Sequence, residues 1–342
     1  MTGIQMVLLA SGSGFGEPYL AVAHASSPYV SVYPRLSGGG LGTKFANPVT
    51  LPTGTGQGVK FSPDNSALAV AHSTSPYISV YPWSSAGFGT KYSNPGTLPT
   101  GAGTAVAFNP AGTVIAVSHA TSPYVSAYAW GPGFGSKYSN PGTLPTGVAA
   151  DLTFNPSGNA LVVAHTASPY VTAYIWNSGF GAKYSDPGTL PTGDGHSVAF
   201  SPAGDLVAVG HEVLPYITVY QWGAGFSNKL ADPGSYPSDS SYGVAFSPDG
   251  NYLSVTSLAT PFIRTYAISP AGFGARTTPA STPSMTQAYG TAFAPAGDEL
   301  AIAGAASPYL WAYPWSAGSF GTKLSDPATL PAGAAVGVAY SN

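Results

Sequence analysis

The chain has 342 residues and a net charge of −3, and only 7% of its residues are charged. This charge provides no basic face for nucleic acid, which proteins bind by replacing counterions with Lys and Arg. The absence of Cys rules out disulfides and thiolate metal sites. No apolar run approaches the roughly 18 residues of a membrane-spanning helix, and residues 1–10 lack the basic start of a secretory signal. We therefore expect a soluble chain with no signal peptide, no membrane insertion and no nucleic-acid partner.

The N-terminal residues do not share the pattern of the rest of the chain. Val7-Leu8-Leu9 is a short apolar run that could pair as an inner strand, as an outer strand or between subunits. We therefore assign residues 1–18 to a lead segment and leave its placement open.

From residue 20 onward, one short element recurs at a nearly constant interval. It reads Ser-Pro-Tyr or a close variant, and its seven prolines are Pro28, Pro76, Pro123, Pro169, Pro215, Pro261 and Pro308. Periods of about 40–50 residues with strand patterning are typical of β-propellers, in which each repeat forms a four-stranded blade. The period therefore predicts seven blades.

The repeat that starts at residue 58 shows how each unit is built. Val59 and Phe61 stand at alternate positions, and a turn follows at 62–65, where Pro and Asx residues favour a chain reversal. Strand patterns then cover 67–72 and 77–83, and a short last strand lies near Lys91. Because no segment has the 3.6-residue apolar period of a helix, we predict an all-β chain of four-stranded antiparallel blades.

Closure of the ring can also be read from the repeat. The Gly-Val-Ala-Phe element that opens each unit is missing before Pro28 but occurs again as Gly337-Val338-Ala339-Tyr340. We predict that residues 337–342 supply the innermost strand of the N-terminal blade, because this splice leaves no open sheet edge. Residues 1–342 would then form a single β-propeller domain.

Two motifs carry family resemblances. Phe246-Ser247-Pro248-Asp249-Gly250 and residues 200–204 resemble the turn between the first two blade strands of WD40 proteins, although the Trp-Asp pair of that family is missing. Ser75-Pro76-Tyr77 together with residues 87–95 resembles propeller repeats of tailed-bacteriophage virion proteins. The second resemblance implies a phage particle, with other virion proteins or a host-surface receptor or glycan as partners.

Five of the six histidines occupy one position of the repeat, four residues before the proline: His24, His72, His119, His165 and His211. A ring of imidazoles could bind a metal or sense pH. Equivalent atoms on different blades, however, cannot converge to the about 2.1 Å that a shared metal requires. We expect these histidines to have a structural role and to bridge strands or cap loop carbonyls, because buried polar groups need partners.

A basic residue also recurs in each repeat, as Lys44, Lys91, Lys137, Lys183, Lys229 and Lys323, with Arg276 in the remaining copy. In the six lysine copies, Asn or Asp follows three residues later. This pattern predicts a solvated outer strand with weak local pairs, since Lys on an edge strand also discourages aggregation. The alternative is a ring of cations that contacts an acidic partner.

The third strand of five repeats ends in tryptophan, at Trp83, Trp130, Trp176, Trp222 and Trp315. Packing within and between blades accounts for these rings. A Trp beside a Gly-rich loop could instead be partly exposed and stack on a sugar or a partner protein, because aromatic residues are enriched at interfaces.

Catalytic chemistry finds little support in the sequence pattern. Asp151, Lys60 and Glu212 interrupt the repeat, but no carboxylate pair, phosphate-binding loop or nucleophile elbow can be recognised. We assign no catalytic, cofactor-binding or metal-binding residue and expect no cofactor.

These observations favour a non-enzymatic structural or interaction propeller in a bacteriophage virion, as a tail-fibre, tail or capsid-surface protein. Two alternatives remain open. A lectin-type propeller would bind carbohydrate at the repeated aromatic residues, and a hydrolase or lactonase would carry its site in the central channel. The near identity of the repeats favours a structural protein or a lectin, since a single active site requires asymmetry.

Overall fold

Seven antiparallel sheets stand side by side around a central axis and form a closed ring. The computed structural model describes residues 18–280 and 285–342, and its sheets and strand order match the predicted seven-bladed β-propeller. Each inner strand lies between the inner strands of the two neighbouring blades. Within the described ranges there is no helix, and thus none that could cross a membrane.

Each blade is built outward from the channel, and blade 1 contains both ends of the described chain. From blade 1 to blade 7, the inner strands are β27 (Ala335–Tyr340), β3 (Gly56–Phe61), β7 (Gly103–Phe108), β11 (Ala149–Phe154), β15 (Gly195–Phe200), β19 (Val244–Phe246) and β23 (Ala288–Phe293). The second strands are β1 (Tyr19–His24), β4 (Ala67–His72), β8 (Val114–His119), β12 (Ala160–His165), β16 (Leu206–His211), β20 (Tyr252–Thr256) and β24 (Glu299–Gly304).

The outer half of each blade completes its sheet. The third strands are β2 (Val30–Pro34), β5 (Ile78–Ser84), β9 (Val125–Gly131), β13 (Val171–Trp176), β17 (Ile217–Trp222), β21 (Ile263–Ser269) and β25 (Leu310–Ser316). The outermost strands of blades 2 to 7 are β6 (Gly87–Phe88), β10 (Gly133–Lys137), β14 (Phe180–Lys183), β18 (Phe226–Lys229), β22 (Gly272–Thr277) and β26 (Ser319–Phe320). Blade 1 has three strands, and the bridge between Arg35 and Leu41 takes the outermost position.

The alternating pattern of the second strands explains how the blades stack. Ala67 and Ala69 of β4 pack against Val106 and Ile115 of blade 3. Leu68, on the opposite face of β4, packs toward blade 1. Because the small side chains face the large side chains of the next blade, the sheets approach closely and exclude water.

The C-terminal strand closes the ring, as predicted. β27 pairs antiparallel with β1, and Leu20 lies opposite Tyr340 while Val22 lies opposite Val338. The backbone N–H of Ser341 donates to the carbonyl of Tyr19 at 2.9 Å. The competing strand candidate, Val7-Leu8-Leu9, lies outside the described residues.

A buried polar network joins blade 7 to blade 1 at this closure, and we call Arg35, Glu299 and Tyr340 the seam. Arg35 stands where most other third strands end in Trp, and its Nε donates to Glu299 Oε2 at 3.2 Å. Tyr340 Oη donates to Glu299 Oε1 at 2.6 Å, and Glu299 is only 1% exposed. Arg35 Nη2 also donates to Asp298 at 2.7 Å. Burial and the neighbouring Glu299 raise the pKa of Tyr340 well above its usual value.

The five repeated histidines lie fully buried inside separate blades. Each Nε2 hydrogen-bonds a hydroxyl of the third strand at 2.9–3.1 Å, in the pairs His24–Ser31, His72–Ser79, His119–Ser126, His165–Thr172 and His211–Thr218. Burial lowers the pKa of each imidazole from 6.5 to about 4. Each ring thus links two strands of its own blade in the neutral form.

The seam yields a first prediction. Replacing Glu299 by Ala leaves the Arg35 guanidinium buried beside only the exposed Asp298, and a broken buried pair costs about 3–5 kcal/mol of unfolding free energy. The triple variant Arg35→Trp, Glu299→Ala and Tyr340→Phe restores the residue types of the other blades and should recover most of that loss. Urea unfolding of both variants and the unchanged protein measures the difference. Equal stability of the single variant and the unchanged protein would contradict this account of the seam.

The histidines yield a second prediction, on acid stability. Their folded pKa lies below the unfolded value, so the unfolded chain binds more protons as the pH falls from about 6.5 to about 4, and stability drops across that window. Replacing His119 by Gln removes one such proton site and should reduce the pH dependence by roughly 1–3 kcal/mol. Chemical denaturation at pH 7, 5.5 and 4 gives the slope of the unfolding free energy against pH for the unchanged protein and for the variant. A slope unchanged by the substitution would show that His119 does not carry this penalty.

Candidate functional site

The seven inner strands enclose a central channel with a volume of about 1000 Å³. Alanine and valine are the commonest residues of its wall, and glycines line it as well, because each inner strand packs closely against the next. A Cβ added at Gly243, for example, would lie 2.2 Å from the carbonyl oxygen of Tyr289 on the following blade. Larger or charged side chains in this wall therefore stand out from the repeat.

Two inner strands carry charges, and these strands belong to blades 2 and 4. Lys60 occupies a position that is alanine in five of the other six blades: Ala107, Ala199, Ala245, Ala292 and Ala339. Asp151 occupies a position that is glycine in four blades, at Gly58, Gly243, Gly290 and Gly337. Among the inner strands of the described chain, no other Asp, Glu, Lys or Arg occurs.

Asp151 is held by the backbone of two blades. Its Oδ1 accepts the N–H of Leu152 at 2.8 Å, and its Oδ2 accepts the N–H of Val198 on blade 5 at 2.9 Å. Burial raises the pKa of this carboxyl group, whereas the two hydrogen bonds and the charge of Lys60 oppose the rise. The carboxylate is thus fixed in orientation, and burial makes it more basic than an exposed Asp.

Lys60 lines the channel, and its side chain is exposed to the channel space while the blades around it enclose that space. This enclosure lowers the pKa of its ammonium group, and the carboxylate of Asp151 opposes the effect. Lys60 and Asp151 thus carry opposite charges that act on each other's pKa, in a setting where charges are less screened than at the outer surface.

Blades 5, 6 and 7 add an aromatic arc at one end of the channel. The imidazole of His196 stacks on Tyr242, with ring centroids 4.0 Å apart and planes within 11°. Tyr289 meets Tyr242 edge-on at 5.8 Å and donates its Oη hydrogen to Gln287 Oε1 at 2.6 Å. Burial lowers the pKa of His196, and within the described residues its Nε2 has no hydrogen-bond partner.

Three acids outside the channel lining act on this aromatic arc, and we call them the acidic mouth: Asp194, Glu212 and Asp239. Glu212 and Asp194 oppose the effect of burial on the pKa of His196. Burial is the main cause of the raised pKa of Tyr242, and the charges of all three acids raise it further. The mouth is therefore negative, and both channel tyrosines retain their phenolic protons at neutral pH.

The channel combines groups that hydrolysis requires. A carboxylate of raised pKa can accept a proton from water, and an ammonium can stabilise a developing oxyanion. The aromatic arc and the phenols can bind and orient a polar ring. In the described part of the chain, no group of three or more His, Asp or Glu residues is placed to bind a metal ion.

The repeated tryptophans do not provide exposed binding surfaces. Trp83, Trp130, Trp176, Trp222 and Trp315 are only 4–9% exposed. Phe61 and Phe88, for example, meet Trp83 edge-on at 5.7 and 5.0 Å. Because the indoles fill gaps within and between blades, little of each ring is left to stack on a sugar or a partner, and such a contact stays an untested prediction.

The repeated lysines contact their own blade. Lys44, Lys91, Lys137, Lys183, Lys229 and Lys323 each donate to the Asn or Asp three residues later. None of them lines the central channel. The structure therefore places these cations and tryptophans outside the candidate site.

Two site residues were already visible as interruptions of the repeat, and others were missed. Lys60 and Asp151 break the pattern in sequence, but nothing there indicated that they interact. His196, Tyr242 and Tyr289 escaped notice as a group. Comparing the residue two positions before Val198, Val244 and Thr291 across the repeats would have found them, since Val336 and Ala150 stand at the same position in other blades.

The fold recurs in solved structures whose names refer to lactonases. A Bacteroides uniformis protein with a proposed 6-phosphogluconolactonase activity is 14% identical, with a TM-score of 0.72 over 95% of this chain and 100% of that one. A Bacteroides fragilis protein with the same proposed activity is 11% identical, with a TM-score of 0.74 over 96% and 98%. The periplasmic gluconolactonase of Pseudomonas aeruginosa is 16% identical, with a TM-score of 0.70 over 95% and 99%.

No protein-family model and no curated protein sequence matches the chain. Identities of 11–16% show a common fold and do not by themselves transfer an activity. These neighbours nevertheless contradict the predicted non-enzymatic virion protein, because all three are named for lactonase activity and none is a phage protein. The predicted virion location is left without support, and the hydrolase alternative agrees best with the findings. The chain is a seven-bladed β-propeller similar to solved lactonase-type propellers.

Proposed function

We propose that the protein is a hydrolase of the lactonase type, with its active site in the central channel. One observation carries this proposal: the repeat is broken at several positions of the channel wall. The wall that seven repeats would otherwise make uniform carries Lys60, Asp151 and the aromatic arc. A binding platform of equivalent blades has no need of such asymmetry, whereas a single active site does.

Lactone hydrolysis assigns a role to each of these groups. Asp151 would take a proton from water as the water attacks the ester carbonyl, and Lys60 would stabilise the negative charge that develops on the carbonyl oxygen. The ring C–O bond then breaks, and the proton returns from Asp151 to the leaving oxygen. The product is an open-chain hydroxy acid. No covalent intermediate and no cofactor enters this scheme.

The charges around the channel favour an unphosphorylated sugar lactone as substrate. The names of the similar proteins include both a phosphorylated and an unphosphorylated substrate. In this chain the acidic mouth would repel a phosphate dianion. Lys60 is the one cation on the described inner strands, and it is already opposed by Asp151. A neutral ring would instead pack on the aromatic arc and hydrogen-bond the carboxylates.

The WD40-like turn at residues 246–250 does not enter this proposal. It connects the first two strands of blade 6, away from the acidic mouth, and Asp249 in this turn bonds Ser247 and Asn251. We interpret it as a feature of blade construction.

A third prediction tests the proposed function. Replacing Asp151 by Asn should lower kcat/KM for glucono-1,5-lactone by about 10²–10⁴-fold, because the general base is lost while the shape is retained. The acid released during hydrolysis is followed against the spontaneous rate. The unchanged protein should lose activity as the pH falls through the raised pKa of Asp151, since only the carboxylate can accept a proton.

The matched control for this experiment is Asp186→Asn. Asp186 is an exposed carboxylate paired with Lys183, and three other blades carry Asn at the equivalent position. The control should therefore keep both activity and melting temperature. An unchanged protein no faster than spontaneous hydrolysis, or an Asp151→Asn variant with full activity, would overturn the proposal. Faster hydrolysis of the 6-phosphorylated lactone would contradict the assigned substrate class.

A further inference from the structure

Blade 6 departs from the other blades at the site of the buried histidine. Ser257 replaces the histidine that blades 1 to 5 carry. Arg264 replaces the Ser or Thr whose hydroxyl is hydrogen-bonded to that histidine in those blades. The smaller Ser257 leaves room, and the guanidinium of Arg264 reaches across to the loop before β19. Its Nη1 donates to Ser238 Oγ at 3.0 Å. Arg264 thus bridges the same elements as a histidine but adds a positive charge.

This charge is almost completely buried. Arg264 is 8% exposed, and its Nε has no hydrogen-bond partner among the described residues. Burial lowers the pKa of the guanidinium, the reverse of what a bound carboxylate would do. Arg35, at the seam, provides the contrast: it is equally buried but is hydrogen-bonded to both Glu299 and Asp298.

A second arginine lies close to the first. Arg276 occupies the position of the repeated lysines, but Pro279 stands where their Asn or Asp partner would be. Its Nη1 donates to Ser235 Oγ at 2.9 Å, on the same loop that carries Ser238. The charge of Arg276 further lowers the pKa of Arg264. Two like charges are therefore held together by one loop.

No carboxylate balances this pair within the described residues. The salt bridges there join other residues, and Asp239, the nearest acid along the loop, bonds the N–H of Ser240 and acts on Tyr242 at the mouth. A bridge between strands needs no charge, as the five histidines show. A buried guanidinium without a counter-ion destabilises the folded chain, and the charge of a second arginine beside it adds to that destabilisation.

We propose that Arg264, Arg276, Ser235 and Ser238 form a binding site for a tetrahedral oxyanion of the phosphate or sulfate class. Guanidinium groups match such oxyanions in charge and geometry and bind them through two parallel hydrogen bonds. The two serine hydroxyls supply further polar contacts beside the arginines. The site lies in blade 6, outside the residues that line the channel, and it does not depend on the proposed hydrolase activity.

Binding of inorganic phosphate and of sulfate to the full chain tests this site. Calorimetry at constant ionic strength, with chloride as the reference anion, should show one saturable site with a dissociation constant on the order of 1 mM or tighter. At about 100 times that concentration, the unfolding equilibrium constant should fall about 100-fold. The same titration with acetate separates tetrahedral oxyanions from carboxylates, which should bind more weakly.

The repeat provides variants that should fold. Ser257→His combined with Arg264→Ser recreates the His–Ser pair of blades 1 to 3, and Arg276→Lys recreates the repeated lysine. The double variant should lose saturable binding, and the lysine variant should weaken it at least tenfold. Lactonase activity, measured in parallel, should be unchanged. An unchanged protein without saturable binding would overturn the site. Equal stabilisation of the unchanged protein and the double variant would do the same, since phosphate and sulfate stabilise folded proteins generally.

Discussion

Pairing of β27 with β1 is the constraint on which the rest of the molecule depends. In a propeller, each blade contacts only its two neighbours, so the ring keeps its shape only when the last blade meets the first. Here a single blade takes its inner strand from the C-terminus and its next strand from the N-terminal part of the chain. The seam adds a buried polar network at the same place, where Arg35 and Tyr340 of blade 1 both donate hydrogen bonds to Glu299 of blade 7.

The closed ring makes chemistry in the channel possible. Because the outer parts of the blades are nearly equivalent, they hold seven inner strands at fixed positions around one axis. Side chains separated by nearly a hundred residues, such as Lys60 and Asp151, then act on each other across a confined space. The buried histidines and the tryptophan clusters belong to this supporting frame. The residues to which we assign the proposed function stand where the repeat is broken, and blade 6 shows that such a break also occurs outside the channel.

Much of the fold could be predicted from the sequence, because the same pattern of strands and turns occurs in seven repeats. The Ser-Pro-Tyr element gave the blade count, and Gly337–Tyr340 revealed the closing strand since it matches the start of every other unit. The seam could not be predicted, because Arg35 and Glu299 are 264 residues apart. In the sequence, each is only a single departure from the repeat, and nothing indicates that the two residues interact. Burial of Trp83 depends on rings from the preceding blade, Tyr19 and Phe45. The virion prediction was wrong because it rested on motif resemblance, whereas solved structures of the same fold are named for lactonase activity.

The most direct test of the account is a crystal structure of the protein with a gluconolactam, an uncharged analogue whose ring amide resists hydrolysis. We predict that the analogue binds in the central channel, with its carbonyl oxygen toward Lys60, its carbonyl carbon within one water of Asp151 and its ring against Tyr242. A crystal saturated with the analogue in which the channel holds only water, or in which the analogue binds elsewhere, would contradict a channel-centred active site.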